Sequence, residues 1–454
     1  MARSKSRTDS AELVTNAVAN AAAGWVRGAR VSVALSGGSD SIVLLHALAA
    51  LRTDAWSLAA HHVHHGLSPN ADAWVAHCEV VCASLSVPLT TERVTVDQHA
   101  GTGIEAAARD ARFASLDQVD ADVIVLAHHA LDQAETLLLQ LLRGSGPTGM
   151  AAMPAVADRY TRPLLGVPKY ALVSYAQQHQ LQWIEDESNS DNRFSRNRLR
   201  NSVWPVLVDA FPAAETTLFR AAQLQAEASL LLDDLAAVDA STCVADNALC
   251  LEKFNALSAP RRANLLRFWL LKNGIGPLAA DTLREWLKQL ATEAAIQAIE
   301  LRGGKHDGAI RVFRGRAYVS EDVRHWPPCR WTGEARLTLN SGERSAGQIE
   351  FLPASSDVPR AFRTPQPSEL WQVRSRLEGD GVALSARSGH VALKNIFQQA
   401  DIPPWLRTTW PLLTCNDEIV AVVGIATAKA FNVVPGQAGM VCEWKPAWRR
   451  SPGS

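Results

Sequence analysis

The chain has 454 residues, too many for one core, with 47% hydrophobic and 20% charged residues, an ordinary balance for a folded soluble protein. A formal net charge of -1 excludes a global basic field, so any nucleic-acid surface must be local. Seven cysteines, odd in number and scattered without a C-x-x-C pair, argue against both a zinc ribbon and a disulfide framework.

The N-terminus, Met1 to Arg7, is basic, but the apolar core of a signal peptide does not follow it. No stretch approaches the roughly 20 apolar residues of a membrane span. A cytoplasmic protein with no membrane contact is expected. Ser10 to Trp25 carries Ala and Val at helical spacing, then Val31–Leu35 is an apolar run that reads as a buried strand. Ser36, Gly37, Gly38, Ser39, Asp40 and Ser41 follow, and the apolar segment Ile42–Leu51 begins a helix. Adjacent glycines let backbone N–H groups approach a ligand, and the helix start adds partial positive charge, so an anion is the expected guest. Asp40 is a carboxylate where phosphate should sit, which makes sense if a divalent metal bridges the two.

Further strands are expected at Ser57–Val63, Pro88–Val94 and Val123–Ala127, alternating with helices over Ala71–Leu85, Ile104 to about Leu116, and Leu131–Leu142. That alternation predicts an α/β domain, a parallel twisted sheet with helices on both faces and ligands at the carboxyl ends of the strands. The glycine loop, the run His61, His62, His64, His65, and the pair His128-His129 all fall at those ends. The histidine run lacks a nearby acidic third ligand, so it is read as a strand end over a nucleotide, with one imidazole near the base, rather than as a metal site. Gly144 to Gly149 matches G-x-G-x-x-G but follows a helix instead of a strand, so it is read as a helix-terminating loop.

Pro168 to about Gln180 closes this region as a helix, and Arg193, Arg196, Arg198 and Arg200 then place four cations in eight positions. Arg196 and Arg200 share one helical face, and guanidinium forks suit phosphate. From Phe211 to about Leu235 a helix leads into a mostly helical region, and Trp326-Pro327-Pro328 marks a second boundary. The expected division is residues 1–210 for catalysis, 211–325 as a helical domain and 326–454 as a small α+β domain. Basic residues there interleave with aromatics, for example Lys394 beside Phe397 and Arg407 beside Trp405, which fits either RNA or structural tryptophans.

The Ser36–Ser41 loop resembles the PP-loop of N-type ATP pyrophosphatases, which split ATP between its α- and β-phosphates and adenylate a carbonyl oxygen. Glu105 to Phe113, Ala127 to Thr136, Arg143 to Gly149, Arg162 to Leu165, and Ser188-Asn189 with Arg196-Asn197 and Arg200 are similar to segments of the tRNA(Ile)-lysidine synthetases, in their longer three-domain form. One departure is Leu131, where the family usually has an aspartate. The resemblance implies adenylation of the wobble cytidine C2 oxygen in an isoleucine tRNA with a CAU anticodon, using ATP and Mg²⁺. Free L-lysine then displaces AMP to form lysidine. It also implies roles by position. Ser36, Gly37, Gly38, Ser39, Asp40, Ser41 and His128 would hold the nucleotide, with Asp40 the metal ligand. Asp132 and Glu135, at i, i+3 on one helical face, would hold the lysine amine and accept its proton. Arg109 (or Arg112 in its place) and Arg200 would steady phosphates or the adenylate. A monomer or homodimer is expected. A sulfur-transfer relative would need a catalytic cysteine pair and a glutamine-dependent synthetase a cysteine nucleophile, and neither constellation is visible. A pure tRNA-binding module would need none of the three acids.

Overall fold

The computed structural model describes residues 2–97, 103–291, 299–302, 308–321, 325–342, 344–384 and 391–446. They form two compact units, residues 1–231 and 232–454. Among the described residues no helix is long and apolar enough to cross a membrane.

In the first unit, helix α1 (Ala2–Ala22) precedes strand β1 (Ala29–Ala34), whose β-branched residues Val31 and Val33 are fully buried. Then come α2 (Ser39–Ala50), β2 (Trp56–His64), α3 (Ala71–Ser84), β3 (Leu89–Arg93), α4 (Ile104–Gln118), β4 (Val123–Val125) and α5 (Ala130–Leu142). A short helix, α6 (Pro147–Met150), leads to a two-residue hairpin of β5 (Val156–Ala157) and β6 (Tyr160–Thr161), and α7 (Lys169–Gln178) follows. The sheet order is β3-β2-β1-β4-β6-β5, parallel except for β5 against β6. Helices cover both faces. Residues of α1, α2, α3 and α7, among them Val14, Leu44, Cys78 and Leu172, share the main core, and Leu116 of α4 closes a smaller one with Ile124 and Leu126. The expected elements are all present with ends moved by a few residues. The β5–β6 hairpin is additional, because two-residue strands carry no periodicity to read. Trp25 lies beyond α1 and meets the Trp56 ring edge-on at 5.2 Å.

The second unit begins inside the helix Ala214–Cys243 and holds two cores. One joins helices Leu251–Ala256, Ala259–Lys272 and Ala280–Ala291 to a five-stranded sheet through Phe254, Leu266, Trp269, Trp286, Ile310 and Val312. The helices were anticipated; the sheet was not, because its strands are short and separated in sequence. The other core is built from two small sheets around an aromatic cluster in which Trp331 stacks on Phe351 at 4.1 Å and meets Trp371 at 5.7 Å. Trp371 and Phe397 are therefore core residues and not base-stacking platforms.

Candidate active site

The turn after β1 is built by its glycines. Gly37 has φ +85°, a conformation that disfavours any side chain, and a Cβ there would lie 2.9 Å from Ile184 Cδ1 and 3.2 Å from Cys78 Sγ. Its carbonyl accepts from Ile184 N at 3.0 Å, which pins the turn. Gly38 caps α2, and Ser41 Oγ donates to its carbonyl at 2.9 Å. Ser36 and Ser41 hydroxyls lie 3.1 Å apart, and Ser36 Oγ accepts from the Gly38 N–H at 3.3 Å, so the hydroxyls brace the loop at a helix start whose first N–H groups have no partner within the helix.

Asp40, in the first turn of α2, is held from two sides. Lys169 Nζ pairs with Oδ1 and also reaches Ser39 Oγ at 3.4 Å, while His129 Nε2 lies 3.3 Å from Oδ2. Burial pushes the Asp40 carboxyl up, but the contacts with His129 and Lys169 outweigh it and hold the group well below the usual carboxylate range. A lysine opening α7 is unfavourable to that helix's own dipole, which is the sequence signal that could have marked Lys169.

At the carboxyl end of β4 the chain turns into α5 at His129. Asp132 Oδ2 accepts from the His129 backbone N–H at 3.0 Å, and the His129 ring, 2% exposed, lies 3.6 Å from the same oxygen. His129 thus stands between Asp40 and Asp132, with Nδ1 buried and unpartnered. Glu135, one turn on, is 0% exposed yet accepts from Arg200 Nε at 2.6 Å, Arg200 Nη2 at 2.8 Å and Arg196 Nε at 2.9 Å. Asp132 Oδ1 accepts from Arg196 Nη2 at 3.3 Å and Arg200 Nη2 at 3.2 Å. Burial raises the Asp132 carboxyl, and His129, Arg196 and the His129 backbone N–H more than reverse it, leaving it lowered. Three carboxylates (Asp40, Asp132, Glu135) meet three cations (Lys169, Arg196, Arg200), which is how so much buried charge is tolerated.

The segment bearing the two arginines is fastened by its asparagines. Asn197 Nδ2 donates to Ser188 O at 2.7 Å, and Asn201 Nδ2 to Asn189 O at 3.0 Å. The structure brings together Asp132, Glu135 and Arg200, which the sequence reading had named, and joins to them Arg196, which it had placed on one helical face with Arg200. It missed His129 and Lys169 as contacts of Asp40. Arg109 sits apart from this network on the exposed side of α4, its guanidinium 5.1 Å from the Phe113 ring centre and its charge felt by Arg112 and Arg162. Arg112 is pushed down to about 10 by burial and by the Arg109 and Arg196 cations. His128 is pushed down to about 3 by burial, with the arginines 162, 196 and 112 adding to it, so it is neutral at physiological pH.

In the histidine run, His61 is satisfied by Thr90 Oγ1 at 2.8 Å and Ser115 Oγ at 3.0 Å. His62 donates to Leu35 O at 2.8 Å beside the loop, and His64 contacts Asp72 at 3.3 Å. His65 alone keeps a buried unpartnered Nδ1, so it is the imidazole of the run left for a base. A cavity of about 480 Å³ lined by Arg30, Ser57, His61, Thr90 and Ser115 lies away from the loop and its carboxylates. No group of three or more His, Cys, Asp or Glu residues that could cage a metal occurs among the described residues. One carboxylate next to a phosphate-binding loop, already holding a cation, fits Mg²⁺, which takes one or two carboxylates together with phosphate oxygens. All seven cysteines are free, and burial pushes Cys78, which lies beside Gly37, up to about 12, so its thiol is not a reactive one.

Family models agree with this anatomy. A PP-loop domain model matches residues 7–207, a TilS substrate binding domain residues 249–318, and a TilS substrate C-terminal domain residues 371–444. The chain is similar to a tRNA(Ile)-lysidine synthase of Nitrosomonas europaea, 36% identical over 92% of this chain and 93% of that one. It is also similar to those of Chromobacterium violaceum (39%, 92% and 94%) and Xanthomonas campestris pv. campestris (40%, 92% and 96%). Among solved structures, a U34-tRNA thiolase NcsA from Methanococcus maripaludis aligns with a TM-score of 0.41 at 15% identity, covering 48% of this chain and 79% of that one.

Proposed function

The chain belongs to the tRNA(Ile)-lysidine synthase family, and from that premise we propose how its own residues divide the work. It is an ATP-dependent ligase that forms a carbon–nitrogen bond on tRNA(Ile). The C2 oxygen of the wobble cytidine in the CAU anticodon attacks the α-phosphorus of ATP and pyrophosphate leaves. The ε-amine of free lysine then attacks C2, loses its protons, and AMP departs with the oxygen.

The single observation that carries the assignment of roles is the linked set Asp40, His129, Asp132 and Glu135 at the carboxyl ends of β1 and β4. Ser36 to Ser41 cradle the pyrophosphate, with Lys169 beside Ser39 as a further cation for it. Asp40 would hold Mg²⁺, which offsets charge gathering on the leaving pyrophosphate. Asp132 and Glu135 hold the lysine ammonium and take its proton, since only the neutral amine is nucleophilic. Arg200, close enough to feel the Asp40 charge, steadies the α-phosphate, as Arg109 does from α4. Neutral His128, its Nδ1 buried and unpartnered, is a hydrogen-bonding contact for nucleotide or cytidine. Residues 1–210 thereby carry the chemistry, and 211–325 and 326–454 grip the tRNA. Every residue named belongs to one chain, so a monomer or homodimer serves.

The test is incubation with ATP, labelled lysine and an unmodified CAU-anticodon transcript. Lysine on the RNA is expected, and none would overturn the assignment. Asp132→Asn should lower lysine transfer by about 100-fold or more, the size of a lost general base; transfer at the wild-type rate would remove that role from Asp132.

A further inference from the structure

The two carboxylates read as the lysine site are occupied before lysine arrives. Both Glu135 oxygens are taken by Arg196 and Arg200, Asp132 Oδ1 is shared between the same two guanidiniums, and Asp132 Oδ2 accepts from His129. The arginines also lie on the solvent side. Arg196 and Arg200 side chains are 25% and 37% exposed, whereas Asp132 is 14% and Glu135 0% exposed. An amine coming from solvent meets the guanidiniums first.

The charge balance points the same way. Two anions closed by two cations offer an ammonium ion no net attraction, and displacing a forked guanidinium from a buried carboxylate costs more than a single hydrogen bond. Nucleotide phosphates change the balance. Arg200 is close enough to interact with the Asp40 charge in the phosphate loop, and both guanidiniums are part-exposed, so phosphate bound at that loop competes with the carboxylates for them. Asn197 and Asn201 fasten the backbone of the segment to the preceding turn.

We propose that Arg196 is a positioning residue which, with Arg200, keeps the lysine site closed until bound nucleotide draws the guanidiniums off Asp132 and Glu135, so that lysine binds after ATP. This rests on the reading of Asp132 and Glu135 as the lysine site. The order has a chemical use, since a lysine amine held before the adenylate forms could attack nothing useful.

Calorimetric titration of lysine into the full-length protein tests it, with and without Mg²⁺ and an ATP analogue carrying a methylene between the α- and β-phosphates. Wild type should bind lysine about tenfold more tightly with the analogue, within the usual range of coupling between sites. Arg196→Gln should bind lysine more tightly than wild type in the absence of nucleotide, with the coupling reduced to about threefold or less. Arg196→Lys, which keeps the charge, should restore part of it. An unchanged melting temperature confirms that the variants fold. The proposal is overturned if wild type binds lysine equally with and without analogue, if it binds lysine in neither state, or if Arg196→Gln keeps the wild-type coupling. Lysine transfer to the CAU transcript, measured on the same wild-type preparation, separates these failures from a failure of the functional assignment.

Discussion

Glu135 shows what a single residue does here. A carboxylate with no exposed surface survives only because three guanidinium N–H groups reach it, two of them from the fork of Arg200. Lysine carries the same charge but cannot present two parallel donors. Arg200→Lys should therefore lose both the forked hold on Glu135 at rest and the fork offered to the α-phosphate in the reaction, and lower lysine transfer about 10- to 100-fold, the cost of one or two lost charged hydrogen bonds. Steady-state transfer assays would check it, and a rate within twofold of wild type would show that the fork is dispensable. Asp132 and Glu135 were named through the family resemblance, with the i, i+3 spacing that places both on one helical face. Their pairing with Arg196 and Arg200 was not legible, since about 60 residues separate them and no local pattern encodes that contact. Lys169 and His129 were missed as contacts of Asp40 for the same reason: the fold brings them there from distant positions, and only the place of Lys169 at the start of α7 is marked locally.

At the scale of elements, the strand–loop–helix at the start of the sheet was the most readable feature, because apolar run, paired glycines and helix start lie consecutively. The structure adds why Gly37 cannot be replaced. Its φ of +85° costs any other residue about 1–2 kcal/mol, and a Cβ would press on Ile184, the residue whose N–H holds the turn in place. Gly37→Ala should thus lower the melting temperature modestly but weaken ATP binding strongly, by about tenfold or more as the loop moves off its phosphate-binding geometry. Equilibrium binding of labelled ATP measures it, and unaltered affinity would show that the turn tolerates the strain. Helix α5 turns Leu131, the departure from the family pattern, toward the interior. That residue is buried, and the acidic network is complete without it. Among short strands, the alternating runs Arg336–Leu339 and Ile419–Val423 fall on strands of the second unit, whereas β5, β6 and the sheet beside the helical core are held by long-range pairing that no periodicity announces.

For the molecule as a whole, a net charge of -1 leaves no long-range field to organise function, so what matters is where individual charges are buried. The helix Ala214–Cys243 illustrates this, because it contributes to both units. Near its start Glu215 accepts from the Lys169 backbone N–H at 2.9 Å. Near its end Ala236, Asp239 and Cys243 are buried within residues 232–454. Asp239, with a side chain only 1% exposed, is neutralised by both Nε and Nη2 of Arg261. An acid buried that deeply is sustained by its partner, and removing the partner strands it. Arg261→Ala should therefore lower the melting temperature by several degrees, and Asp239→Ala, which removes the buried charge and frees an arginine that is 44% exposed, should cost less. Both substitutions lie outside the unit that holds the phosphate loop, so ATP-analogue affinity measured below the melting temperature should stay within about twofold of wild type, as expected for distant, independent sites. Thermal unfolding of the two variants side by side decides the matter. If Asp239→Ala proves the more damaging, the pair contributes by holding Arg261 in place and not by sheltering a buried acid.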